Sequence, residues 1–401
     1  MIALIFIFKE NNMIDITIYI LIFIILMVPF LARKWQVYDN VYVKNKNPLN
    51  GLRAILASIV MYSHTYKELY VHSGNEWPYT QSQYFQYIGF GNQAINGGKI
   101  GVAIFFMISG YLFYSLLNKN TFESLKFFKQ RFKRIFPLYF FIVTFCFMYN
   151  FNYFNKLDFI NKTFEYFKFL IFFGDNTQIT QMTSGVEWSL KLEILMYLTI
   201  PILFYVSHKF KNKLVKHILT IISVLSVFLI SYILRMYFEF YIDPRAALCF
   251  YVGYVALEIK NDKIINFFKS KTFSIISLLF LISAFFITAY NFYYIYLIFA
   301  CSFIFIAAAN GNDMFGLLMN EQIQKLGEIS YSIYLTHGVL LFFLMKVADT
   351  FMSFGTKGSV SFIFIHFFLT FTVSVFTYKY VEQGFNRPHF RSLLVSKFKQ
   401  L

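Results

Sequence analysis

The sequence predicts an all-α integral membrane protein, a polytopic helix bundle, and three observations carry that reading. Its 401 residues are 58% hydrophobic and 22% aromatic with only 14% charged, whereas soluble domains run near 45–50% apolar and about 25% charged. Apolar windows of about 20 residues, the length that crosses about 30 Å of hydrocarbon, recur along the whole chain. The Lys and Arg residues behind the net charge of +16 fall in short runs between those windows. That pattern is topology rather than a basic face for nucleic acid.

Taken in order, the windows lie near 14–32, 50–71, 98–118, 135–154, 187–207 and 214–237, then 244–259, 272–290, 292–309, 328–348 and 360–382. The first lacks the basic leader and small-residue cleavage site of a signal peptide and is expected to stay as an anchor, with Met13 as an alternative start. The stretch 164–173 is too short to cross and aromatic enough to lie at the surface or re-enter. Alternate loops hold about 23 and about five basic residues, which places the basic set and the C-terminus in the cytoplasm. Cys146, Cys249 and Cys301 all fall inside apolar windows, without CxxC or His spacing, so neither a disulfide nor a metal site is expected. No GxGxxG, Walker loop, HExxH or GxSxG occurs, and no internal repeat is visible.

Chemistry is therefore sought among ionisable residues within spans, which are costly unless they face water or a partner. Arg53 and His64 stand eleven residues apart on one span, close to three helical turns, so they share a face with His64 roughly 16 Å deeper. The span 187–207 enters from the opposite side and carries Glu193 about 9 Å below that boundary, at the depth of His64. Glu193 is expected to meet His64 and orient it as a general base; the plainer alternative is a structural His–Glu pair. Arg131 and Arg134 sit at the level of Arg53. Three guanidinium forks at one rim suit a phosphate-bearing ligand, although basic residues at a span end also follow from topology alone. Arg245 opens a span at the other face. His337, beyond Tyr331 and Tyr334, reads first as a packing residue, as does His366, and Ser109–Gly110 reads first as a small-residue helix contact.

These segments also form an ordered set. Residues 51–64, GLRAILASIVMYSH, resemble the Arg, ten residues, His signature of the acyltransferase-3 family of polytopic membrane acyltransferases. GVAIFFMISGYLF at 101–113, RFKRIFPLYF at 131–140 and VEWSLKLEILMY at 186–197 are similar to that family's FF-x-x-SG, R-x-x-R-I-x-P and W-S-L-x-x-E-x-x-x-Y segments. PRAALCFYVGY at 244–254, LGEISYSIYLTH at 326–337 and YVEQGFNRP at 380–388 resemble its later Arg–Gly, Ser-Tyr…His and closing Tyr–Glu blocks. Thr336 stands where the family often has Trp, and Gln383 where Pro is usual.

The resemblance implies ten core transmembrane helices plus one extra N-terminal helix. Residues 1–47 would form the anchor helix and a basic cytoplasmic linker, 48–388 the membrane domain and 389–401 a basic cytoplasmic tail. It further implies a multi-pass O-acyltransferase of the bacterial cytoplasmic membrane. An acyl group, by expectation acetyl, would pass from acetyl-CoA or another acyl-CoA to a hydroxyl of a surface polysaccharide or lipid-linked glycan. On that reading His64, supported by Glu193, is the base, with direct transfer and an acyl-His relay both open. Arg53, Arg131 and Arg134 hold the CoA phosphates. Ser109, Tyr111, Trp188, Arg245, Tyr331, Tyr334 and His337 are candidates for the cavity or acceptor site. No cofactor is expected to stay bound, the lipid bilayer is the standing partner, and no nucleic acid is involved. The alternative is a non-enzymatic glycan exporter or flippase on the same fold, with the buried charges as gating groups.

Overall fold

The apolar windows fold as helices close to where hydropathy draws them. The computed structural model describes residues 41–43, 45–72, 91–151, 159–171, 177–209, 213–238, 247–286 and 293–384. The expected anchor helix 14–32, Arg245 and the tail 389–401 lie outside the described residues. In chain order the helices are α1 (Pro48–His72), α2 (Gly91–Tyr114), α3 (Ser124–Phe151), α4 (Phe159–Leu170), α5 (Thr177–Met182), α6 (Glu187–Lys209) and α7 (Lys213–Phe238). They continue as α8 (Ala247–Glu258), α9 (Asp262–Lys269), α10 (Lys271–Phe286), α11 (Tyr293–Ala309), α12 (Glu321–Glu328), α13 (Ser330–Met345), α14 (Ala348–Met352) and α15 (Gly355–Thr377), which runs into a π-helical turn, Tyr378–Glu382. No strand occurs among the described residues.

Among the described residues, five helices are long and apolar enough to cross a membrane, within Asn96–Asn118, Ser124–Asn150, Glu187–Lys209, Leu214–Tyr237 and Lys357–Glu382. Two bent pairs raise this to seven if each is one span: α9 with α10, bent by 66°, and α12 with α13, bent by 70°. The chain is thus an all-helical, multi-pass membrane protein, with fewer fully apolar crossings than the ten plus one expected. The helices α8 and α11 are apolar but short. The 25 residues of α1 include Arg53, His64, Lys67, Glu68 and His72, so the helix with the candidate signature dilutes its own hydropathy. The 12-residue helix α4 overlaps the segment expected at the surface: it buries Tyr166, Phe169 and Leu170 while exposing Ile160, Phe164 and Phe167.

Helix α2 is the hub, packing against α1, α6, α8, α10 and α11. Its approach to α8 depends on two glycines, because a Cβ on Gly110 would lie 2.5 Å from the Phe250 carbonyl oxygen and one on Gly253 would lie 2.4 Å from that of Met107. Such backbone contact is how helices associate where burying apolar surface from lipid gains little. Outward, α7 shows Leu225, Leu229 and Ile233, as a lipid-facing surface requires. The buried core instead joins α1, α2, α6, α8, α11 and α13 through residues such as Leu52, Met107, Leu192, Phe250, Phe305 and Leu335.

Candidate active site

Within this bundle a cavity of about 150 Å³ is lined by Arg53 of α1, Ser109 of α2, Arg131 and Arg134 of α3, Glu193 and Tyr197 of α6, and Ser330, Tyr331 and Tyr334 of α13. Five helices thus bring together the three arginines that the sequence placed at one level. Each is held differently. Arg134 forms an ion pair with Glu382, whose second oxygen accepts a hydrogen bond from Ser332 Oγ at 3.0 Å. Its guanidinium also lies 5.8 Å from the Tyr331 ring centroid. Arg131 sits over Phe113 and Phe127, at 5.6 and 5.9 Å, and its Nε has no hydrogen-bond partner among the described residues. Arg53, half-buried, makes no salt bridge among the described residues. The Ser330 hydroxyl is also buried without a partner. Unsatisfied buried donors around a cavity are what a polar ligand or ordered water would complete.

The local sequence explains this placement. Tyr197 follows Glu193 by four residues on α6 and donates to its Oε1 at 2.7 Å, while Ser109 Oγ donates to the same oxygen at 3.3 Å. Ser109–Gly110 therefore does two jobs: the glycine makes the helix contact and the serine faces the cavity. The hydroxyl of Tyr331 donates to the Ile135 carbonyl at 2.7 Å, two residues before Pro137 on α3. Tyr334 shares a 2.9 Å hydrogen bond with Ser189 and reaches the Val186 carbonyl at 3.2 Å. Tyr331 and Tyr334, three apart on α13, share a helix face and both line the cavity.

His64 does not line the cavity, and no hydrogen bond or ion pair joins it to Glu193 among the described residues. Its ring meets that of His337 instead, with centroids 5.1 Å apart and planes at 65°. Helix rise fixes depth but not lateral position, and α2 packs against both α1 and α6. His337 lies one turn beyond Tyr334, with rings 6.1 Å apart, so the histidine pair stands just past a residue of the cavity wall.

Of the other candidates, Tyr111 packs edge-on to Phe305 and Trp188 edge-on to Phe106, outside the lining. The residue sequence reasoning missed is Glu382: its closing Tyr–Glu block was visible, but nothing in it says that the carboxylate neutralises Arg134. Tyr197 was legible as the last letter of its motif and went unassigned.

The sequence is similar to those of known proteins. The O-acetyltransferase OatA of Staphylococcus aureus (strain NCTC 8325 / PS 47) is 26% identical over 340 residues, covering 75% of this chain and 54% of OatA, and OatA of strain COL matches equally. The chain therefore spans about half the length of these relatives. ORF330 of the Acidianus two-tailed virus, named as a candidate acetyltransferase, is 34% identical over 110 residues, covering 27% of this chain and 32% of ORF330. No solved structure matches significantly. A family profile described as an acyltransferase domain matches residues 47–379, from the base of α1 into the π-helical turn, and the chain belongs to that acyltransferase-3 family.

Proposed function

We propose that the protein is a membrane O-acyltransferase that moves an acyl group, in the first instance acetyl, from acyl-CoA to a hydroxyl of a cell-surface glycan. The observation that carries the reading is the convergence of Arg53, Arg131 and Arg134 on one cavity, with His64 and His337 just past its Tyr334 wall. Guanidinium forks match phosphate oxygens bidentately, and a CoA thioester is a polyphosphate with its reactive carbon at the end of a long arm. The phosphates would be held at the arginine rim while the arm reaches past Tyr331 and Tyr334. His64, roughly 16 Å from Arg53 along α1, would meet the thioester from beyond Tyr334.

In the proposed reaction His64 takes the proton of the sugar hydroxyl as the oxygen attacks the thioester carbonyl. The C–S bond breaks, and the proton passes to the departing thiolate. Glu193 belongs to the cavity wall on this reading, bound to Tyr197 and Ser109 rather than to the base. The arginine rim faces the cytoplasm of a bacterial cell, ten core spans complete the bundle, and the acceptor arrives from the outer side.

The test compares surface glycan from cells carrying the wild type, His64→Ala and a deletion, by mass spectrometry and NMR of base-labile esters, with membrane expression checked. Esters lost in both variants at normal polymer levels are expected, and their mass names the acyl group. Polymer retained inside the cell with its esters intact would replace the transferase with an exporter.

A further inference from the structure

Two buried nitrogens lie just past the Tyr334 wall of the cavity. His64 Nδ1 and His337 Nε2 are both buried without a hydrogen-bond partner among the described residues, and they belong to rings in edge contact. A buried nitrogen without a partner forfeits its hydration uncompensated, so two in adjoining rings are more economically read as one interaction made directly or through a water. The tautomers agree with that. His337 Nδ1 lies 3.1 Å from the Ile333 carbonyl, which can only accept; Nδ1 therefore carries the proton of the neutral ring and Nε2 offers a lone pair.

The His337 backbone is fixed from two other sides. His366 Nε2, on α15, donates to the His337 carbonyl at 2.9 Å, and its Nδ1 is 2.8 Å from Thr65 Oγ1, beside His64 on α1. The next residue, Gly338, lies against the turn after α5 so closely that a Cβ would fall 2.3 Å from the Thr183 carbonyl carbon. That turn itself uses left-handed backbone at Ser184 and Gly185. A histidine held this firmly by α15 and the α5 turn, with its one free lone pair beside a second imidazole, is built as more than filler.

We infer that His337 is the positioning residue for His64: its Nε2 accepts the Nδ1 proton of His64, directly or through one water, and leaves His64 Nε2 unprotonated toward the substrate. The inference rests on the reading of His64 as the base. It assigns to His337 the orienting role that depth alone gave to Glu193. During transfer the proton gained by His64 Nε2 makes an imidazolium whose Nδ1–H is still bound by His337, and the charge disperses when that proton passes to the thiolate.

The experiment measures thiol release from acetyl-CoA in membrane vesicles that contain the host's own lipid-linked glycan, for the full chain and three variants. His337→Phe keeps bulk but removes the acceptor and is expected to lower kcat roughly tenfold to a hundredfold with KM for acetyl-CoA unchanged. His337→Gln, which returns an acceptor oxygen near the Nε2 position, is expected to recover part of that loss. His337→Phe within twofold of wild type, or equal losses in both variants, overturns the inference. His64→Ala separates the two levels: if it keeps turnover, the base assignment fails and this one with it, whereas its loss beside a fully active His337→Phe removes this inference alone. If the His337 variants do not reach the membrane, the 15N spectrum of histidine-labelled wild type decides, with His64 identified by the signal missing in His64→Ala. A proton on Nδ1 supports the inference, and a proton on Nε2 ends it.

Discussion

At the Arg53 end of the cavity the groups are charged: Arg134 is paired with Glu382, Arg131 lies over the faces of Phe113 and Phe127, and Arg53 lines the open volume. One turn past Tyr334 the materials change. His337, His366 and Thr65 are held by backbone carbonyls and one another, all at 0 or 1% exposure. The difference teaches a division of labour. On the proposed reading, the end that attracts a polyanion from water keeps its cations partly exposed, whereas the end that moves a proton needs fixed geometry and little net charge. The sharpest way to break this comparison is His64→Ala, which should lower turnover by roughly 10²–10⁴-fold while leaving acetyl-CoA binding at the arginine end intact. Equal loss of binding and turnover, by ligand-dependent thermal shift beside the rate assay, would mean that the two ends are one unit.

Next in size is the ion pair. Glu382 is 2% exposed and Arg134 about one-third exposed, so Glu382→Gln leaves a largely enclosed guanidinium uncompensated, with an expected cost of about 3 kcal/mol. Thermal unfolding of the detergent-solubilised protein reads this, and Arg134→Met combined with Glu382→Met should restore much of the stability while abolishing the arginine's contribution to donor affinity. A double variant no more stable than Glu382→Gln would show that the carboxylate acts through Ser332 rather than through Arg134.

How far the sequence led follows the same division. Helix positions were legible because lipid demands about 20 apolar residues per crossing, and the arginine rim was legible because basic residues at span ends share a depth. Depth was all that rise per residue supplied. It put Glu193 level with His64 but left unspecified that α2 packs against both their helices. The contact His64 does make, with His337, joins residues 273 positions apart in the chain, and the plain packing role first given to His337 had no local signal against it. Glu382 was hidden for a related reason: its carboxylate gains meaning only when the π-helical turn after α15 comes beside α3. Among the described residues five to seven crossings pass on length and composition alone, and α1 is not one of them because it trades apolar residues for Arg53, His64, Lys67 and Glu68.

A milder variant tests whether the arginine end reads shape as well as charge. Arg53→Lys keeps the cation but loses the planar fork, and the expected result is a roughly tenfold rise in KM for acetyl-CoA at unchanged kcat, worth about 1.4 kcal/mol of binding. An unchanged KM would reduce Arg53 to a topological charge at a span end. A lower kcat at constant KM would instead connect Arg53 to the distant histidines.

The smallest expected effect lies on the wall between the two regions. Glu193 Oε1 receives both Tyr197 at 2.7 Å and Ser109 at 3.3 Å, and the shorter bond is the stronger because hydrogen bonds to oxygen are best near 2.7–2.8 Å and weaken as they lengthen. Ser109→Ala leaves the carboxylate with its better donor and removes a small hydroxyl beside a cavity that water can refill, so a loss below about 1 kcal/mol in stability and a change of only about twofold in kcat/KM are expected. Tyr197→Phe deletes the better donor from a buried ring and should cost more, about 1–3 kcal/mol. Thermal shifts of the two variants set the order. If Ser109→Ala proved the more damaging, its hydroxyl would be touching something other than Glu193 during turnover, and on the proposed reading the thioester arm would be the group within reach.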